Sequence, residues 1–234
     1  MLILTKFISE GDHLPYSKNS PSERYKFLGK MYQDMHINGD KLNNIEAKST
    51  FSGSSLLFQA QYIKRLIAHF GISELLDYGS GKGKHYISPT TIQGQTYQNI
   101  QSYWGIEDVD CYDPYYQPFS TLREKKYGGV ICTDVLEHIN EEDIPWILED
   151  IFTHASQFVF ANVACFLAQK KLPNGENAHC TIKNVEWWTQ LLNTIAKTKQ
   201  INYIFTFTAP IKTGRSIHIH SGMKMETLKE VFQT

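Results

Sequence analysis

The chain has 234 residues, 41% of them hydrophobic, with 23 lysines and arginines against 24 acids. That length suits one α/β domain with a helical extension, and it can bury a full core. The even charge balance offers no basic footprint, so a nucleic-acid partner is not expected.

The opening MLILTKFISE has too short an apolar run and no small-residue cleavage site for a signal peptide. No stretch approaches the roughly 20 apolar residues of a membrane span, so no membrane partner is expected and the protein reads as cytoplasmic. Residues 1–20 show little periodicity and read as an arm. Ser20 as N-cap, Pro21 at the first helical position and Glu23 three residues on then predict a helix reaching about His36. Asn38-Gly39-Asp40 breaks it. A second helix, Ser54 to Phe70, places Leu56, Ala60, Ile63, Ile67 and Phe70 on one stripe and stops at Gly71. Residues 1–53 are therefore expected as an arm and helical lid, and 54–234 as the main domain.

The sequence LLDYGSGKGKHY, residues 75–86, ends a short apolar run in Asp77 and then sets glycines at alternate positions, Gly79, Gly81 and Gly83. This is a buried strand feeding a tight turn. Alternate glycines permit positive φ and let a ligand approach the main chain without meeting a Cβ. The dinucleotide fingerprint GxGxxG would need glycine where Lys84 stands, and Asp77 would repel phosphate while suiting amino or hydroxyl groups. Pro89 and Gly94 interrupt the helix that should follow the turn.

Asp108 to Asp113 forms a brief strand ended by Pro114. Only PFSTL, residues 118–122, is available for a third strand. Gly128 to Asp134, GGVICTD, is the near-continuous apolar run of a buried parallel strand, followed at once by VLEHI. Asn140 caps the next helix, to about Ala155, with Pro145 tolerated in its first turn. Phe158 to Cys165 is the fifth strand. A long polar loop with Pro173, Gly175 and His179 leads to a helix capped by Asn184 and carrying Trp187 and Trp188. Alternation in INYIFTFTA and SIHIHSG gives two last strands, paired as an antiparallel hairpin at the sheet edge.

Cys111, Cys132, Cys165 and Cys180 are widely spaced, lack a CxxC pair and read as reduced core thiols. No metal site is assigned. Of the histidines only His218 and His220 have anything like ligand spacing, on one face of a strand.

An acid followed by GxGxG, with a later apolar strand ending in TDVLEHI, resembles the class I S-adenosylmethionine-dependent methyltransferases. Within that group the DYGxGKG and LPNGENAH-like stretches are similar to small bacterial and phage-type members. The likeness covers roughly residues 54 to 221. It implies a Rossmann-like fold: a central, mostly parallel seven-stranded sheet with an antiparallel last strand, helices on both faces, and S-adenosylmethionine converted to S-adenosylhomocysteine. It also implies a donor site of Asp77, Tyr78, Gly79, Ser80, Gly81, Gly83, Asp113, Pro114, Asp134 and Val135. Asp113 is placed on the ribose hydroxyls, with Asp110 as a rival. The adenine reader is unassigned, and Tyr112, Tyr115 and Tyr116 are candidates to stack on the base.

The sulfonium is already an activated electrophile, so the protein's task is chiefly to align the acceptor. His138 and His179 are the candidate bases, since imidazole titrates in the useful range. Glu137, Asn174, Glu176 and Asn177 are the candidate acceptor contacts, and Trp187 and Trp188 either wall the site or belong to the core. The expected activity is methyl transfer to a small-molecule or carbohydrate-linked acceptor, by a monomer or homodimer. The alternatives are a non-catalytic S-adenosylmethionine-binding module and a nicotinamide-dependent oxidoreductase. For the last, the sequence shows neither GxGxxG nor a Tyr-x-x-x-Lys pair.

Overall fold

A computed structural model describes residues 15–232. The part of the N-terminal arm before residue 15 lies outside the described residues. In chain order the elements are α1 (Glu23–Asn38), α2 (Ser54–Phe70), β1 (Glu74–Tyr78), α3 (Lys84–Ile87), β2 (Thr90–Ile92), β3 (Gln95–Tyr97), α4 (Ile100–Trp104) and β4 (Asp108–Tyr112). They continue with β5 (Tyr127–Thr133), α5 (Ile144–His154), β6 (Ala155–Ala164), α6 (Val185–Ala196), β7 (Asn202–Ile211), β8 (Gly214–Ser221) and α7 (Met225–Phe232).

The central sheet has six strands in the order β4-β1-β5-β6-β7-β8. The first five are parallel, and β8 runs antiparallel to β7 at the edge, as the hairpin signal predicted. The expected count of seven is corrected to six in this sheet. Residues 118–122 do not form a third strand: a 3-10 turn, Gln117–Phe119, stands there with proline inside it. A proline cannot donate to a ladder, and the turn's backbone bonds locally, from the Phe119 N–H to the Tyr116 carbonyl at 2.8 Å. The other two strands, β2 and β3, pair separately as a short hairpin. Gln93 and Gly94 join them, both at positive φ, the requirement of a two-residue turn that matches strand twist. The helix after the glycine turn, α3, has already stopped at Ile87, just before Pro89.

Period-two alternation explains how one sheet carries helices on both faces. Leu76, Val130, Cys132, Val159, Ala161, Phe205 and Phe207 point to one side, where α5 and α6 contribute Ile147, Ile151, Trp188 and Leu192. Leu75, Ile131, Phe158, Phe160 and Ile204 point to the other, against Leu56, Ala60, Ile63 and Ile67 of α2 and Trp104 of α4. The apolar stripe predicted for α2 is thus its buried face, and Gly71 ends the helix in the left-handed conformation. Trp188 lies fully inside the first core, and Trp187 packs against it.

Two helix starts differ from the sequence reading. α1 is capped by Ser22, not Ser20: its hydroxyl accepts the Tyr25 N–H at 3.0 Å. Asn140 opens a 3-10 turn, Glu141–Asp143, before α5 begins. Asp143 explains both shifts. Buried at the head of α5, it accepts hydrogen bonds from the Ser22 N–H at 3.0 Å, the Ser22 hydroxyl and the Trp146 indole at 2.8 Å. One carboxylate therefore ties the start of α1 to α5. Among the described residues no helix is long and apolar enough to cross a membrane.

Candidate functional site

The strand order reverses around β1, because β4 pairs on one side of it and β5 on the other. Open parallel sheets bind ligands at such a switch point, outside the carboxyl ends of the strands. A cavity of about 400 Å³ lies there. That is enough for a nucleoside-sized ligand, since such pockets run from roughly 300 Å³ upward. Asp77, Tyr78, Gly79, Ser80, Gly81, Gly83, Asp113, Pro114, Asp134, Val135 and His138 all line it, so every residue assigned to a donor is brought to one space.

The turn after β1 is held to β4 by two hydrogen bonds, from Gly79 and Ser80 N–H groups to the Tyr112 carbonyl at 2.7 and 3.0 Å. Gly79 sits at φ 88°, and a Cβ there would lie 2.4 Å from Val135 Cγ2. The two strand tips approach closely enough that only glycine fits. Asp77 is buried below the turn and accepts the Tyr86 hydroxyl at 2.8 Å. Burial pushes its carboxyl up to about 7, the Tyr86 hydrogen bond opposing that and the Asp113 charge adding to it.

Asp113 and its rival Asp110 part ways. Asp110 accepts the Tyr127 hydroxyl at 2.6 Å and pairs with Arg123 at 3.3 Å, whereas Asp113 lines the cavity. Asp113 Oδ1 accepts the Tyr115 N–H at 2.9 Å, and Oδ2 stands 3.7 Å from His36 Nε2.

His36 belongs to a wall that the sequence did not disclose. Leu28, Tyr32, Met35 and His36, one stripe of α1, line the cavity opposite the glycine turn together with Phe51. The His36 ring lies between Phe51, centroids 4.2 Å apart, and Tyr116, stacked at 4.9 Å. Phe51 holds φ 52°, an uncommon backbone state for a bulky residue. Lys82, from the glycine turn, donates to the His36 carbonyl at 3.1 Å and to the Ala47 carbonyl, fastening this wall to the cradle. Of the three tyrosines considered for the base, Tyr115 lines the cavity, Tyr116 stacks on His36, and Tyr112 is buried beside Tyr78.

Beside the strand tip of β5, Asp134, His138 and His179 each offer a ligand atom within 4.8 Å of the others. The two rings meet edge to face, centroids 4.8 Å apart. His138 Nδ1 is 2.9 Å from the Ala178 carbonyl, and His179 Nδ1 is 2.6 Å from the Phe166 carbonyl. Carbonyls only accept, so both Nδ1 atoms carry protons, and in the neutral ring the lone pair lies on Nε2. Burial depresses His138 to about 4, with Asp134 pulling it up and His179 pushing it further down. Asp134 adopts φ 60°, which aspartate tolerates better than most residues.

The remaining acceptor candidates have structural contacts. Glu137 is fully buried and accepts the Ala164 N–H at 2.7 Å; burial, with the Asp134 charge second, raises it to about 8. Asn177 fastens the loop, bonding Ala168 N–H and carbonyl at 3.0 and 2.8 Å and accepting from the His179 N–H at 3.0 Å. Asn174 accepts the Glu176 N–H at 3.1 Å, and Glu176 pairs with Arg24 of α1. From this loop Lys170, Leu172 and Ala178 reach the cavity wall, and Asn174, Glu176 and Asn177 do not. His218 bonds Ser216, and His220 bonds Tyr203 and Asn193, away from the cavity.

No family model matches the chain, and no curated protein or solved structure is significantly similar to it.

Proposed function

We propose that the protein binds S-adenosylmethionine in the switch-point cavity and transfers its methyl group to a small-molecule or carbohydrate-linked acceptor. The fold reading that accompanies this is a class I, Rossmann-like one with the third strand missing, working in the cytoplasm. The observation that carries the proposal is the joining of the acid-GxGxG turn to the Asp134–His138 strand tip across one cavity. These were separate signals in the sequence.

In this reading the glycine turn lets the donor approach bare main chain, and Asp77 receives the methionine ammonium. Asp113, free of the ion pairs that occupy Asp110, takes the ribose hydroxyls. Phe51 and His36, which line the cavity and are braced by Tyr116, supply apolar aromatic surface for the adenine. Asp134 and His138 would then flank the transferred methyl group, and Lys170, Leu172 and Ala178 of the loop would flank the acceptor.

Thermal unfolding with S-adenosylhomocysteine and with NADH tests the donor site. At about 100 times its dissociation constant the adenosyl ligand should add about 2.7 kcal/mol of stability. NADH should add none, because the turn departs from the pyrophosphate-binding spacing. An unmoved transition with both S-adenosylmethionine and S-adenosylhomocysteine at millimolar concentration sinks the proposal.

A further inference from the structure

The cluster at the β5 tip is built like a metal site. Its three side chains come from two separate stretches, the strand exit at Asp134 and His138 and the loop at His179. Each imidazole is oriented by a hydrogen bond from its Nδ1 to a main-chain carbonyl, which fixes the tautomer and leaves Nε2 as the ligand atom. Tyr32 reinforces one of them: its hydroxyl lies 3.0 Å from His138 Nδ1 and 3.5 Å from the same Ala178 carbonyl. Asp134 is held out from the strand end at φ 60°, and among the described residues its carboxylate has no hydrogen-bond or ion-pair partner. Glu137, next to His138 in the chain, is buried with Oε2 unpartnered. One carboxylate and two oriented imidazoles converge with no cation paired to them among the described residues.

We propose that Asp134, His138 and His179 form a binding site for a first-row divalent cation at the acceptor side of the cavity. Two imidazoles and one carboxylate leave open positions on such an ion, and imidazole selects transition metals over magnesium or calcium. The consequence for substrate rests on the methyl-transfer reading above. A cation there selects an acceptor presenting oxygen, best a pair of adjacent oxygens such as a vicinal diol, which fills two open positions. Metal-bound hydroxyl loses its proton to solvent more readily. Its oxygen then attacks the methyl carbon, the O–CH₃ bond forms as S–CH₃ breaks, and the bonding pair returns to sulfur to give the neutral thioether. The imidazoles act as ligands in this scheme, and neither has to accept the proton.

Metal-stripped full-length protein titrated with Co²⁺ alone tests the site, read by visible d–d absorption. One Co²⁺ per chain is expected, with bands of a nitrogen- and oxygen-ligated ion. His138→Gln and His179→Gln should each weaken binding tenfold or more. Asp134→Asn should do likewise, and its folding is not at stake, since asparagine tolerates the same left-handed backbone. Absence of bands in the unaltered protein at millimolar Co²⁺ overturns the proposal. So do bands that persist at full strength in all three variants, which would put the ion elsewhere on the chain. S-adenosylhomocysteine stabilisation, measured with a chelator present, reports on the donor reading alone, so the two can fail separately.

Discussion

The strand-tip wall, from Asp77 to Gly83 with Asp134 and Val135, and the facing wall, from Leu28 to Phe51, enclose the same cavity by different means. On the first, the backbone is the working surface. Its shape follows from where parallel strands end, and glycines keep it bare. On the second, side chains do the work: an aromatic stack and a buried histidine, brought over the site by α1 and held by Lys82 and Asp143. A backbone wall tolerates almost no added atom. A side-chain wall should lose function by degrees as its pieces are removed.

The largest effect should therefore come from adding atoms to the first wall. Gly79→Val places carbon against Val135, where even a Cβ would lie 2.4 Å away, in a left-handed backbone state. Strain and overpacking together cost about 2 to 5 kcal/mol. Calorimetric titration should show S-adenosylhomocysteine affinity falling at least about a hundredfold, the equivalent of 2.7 kcal/mol. An affinity within threefold of the parent would mean that the ligand does not use this turn.

Next in size is the pH response of the same wall. Asp77 has its folded pKa raised to about 7 by burial, above the unfolded value of 3.8. For the free protein the sign is that of a raised acid: the stability it contributes is full below the unfolded pKa and is lost as pH rises through about 7. If the proposed donor binds, its ammonium should reverse the preference by pairing with the ionised form. Affinity for S-adenosylhomocysteine should then fall by about tenfold per pH unit as pH drops below 7, and Asp77→Asn should flatten that slope. A parent protein with equal affinity at pH 5.5 and 8 would remove Asp77 from the ammonium contact.

The difference between the walls also explains what could be read in advance. The glycine turn, the apolar strand ending at Asp134 and the stripe of α2 are local patterns, and local patterns survive in a sequence. The six-stranded order, with β8 antiparallel at the edge, follows the strand signals apart from the missing third strand. Residues 118–122, the only stretch available for a third strand, carry a proline that closes a 3-10 turn there instead. His138 and His179 were both legible as candidate bases, but their meeting with Asp134 as one set of ligand atoms was not, because they belong to different elements and spacing along the chain carries no trace of it. His36 escaped for the same reason. In α1 it is one polar residue on a mixed stripe, and only the fold sets it between Phe51 and Tyr116.

The smallest expected effect tests the second wall. His36→Ala removes the middle ring of the stack while leaving Phe51, Tyr116 and the α1 stripe in place. One aromatic contact is worth about 0.5 to 1.5 kcal/mol beyond its area, so S-adenosylhomocysteine affinity should drop by roughly two- to tenfold. His36 Nε2 also stands 3.7 Å from Asp113, so the loss has two possible sources. His36→Phe separates them, because it keeps the flat face and discards the nitrogen. If stacking carries the effect, His36→Phe binds like the parent and His36→Ala does not. If the two variants lose affinity equally, the histidine acts by steadying Asp113. If neither variant changes affinity, the facing wall is a cover and not a binding surface, and the comparison between the two walls fails on that side.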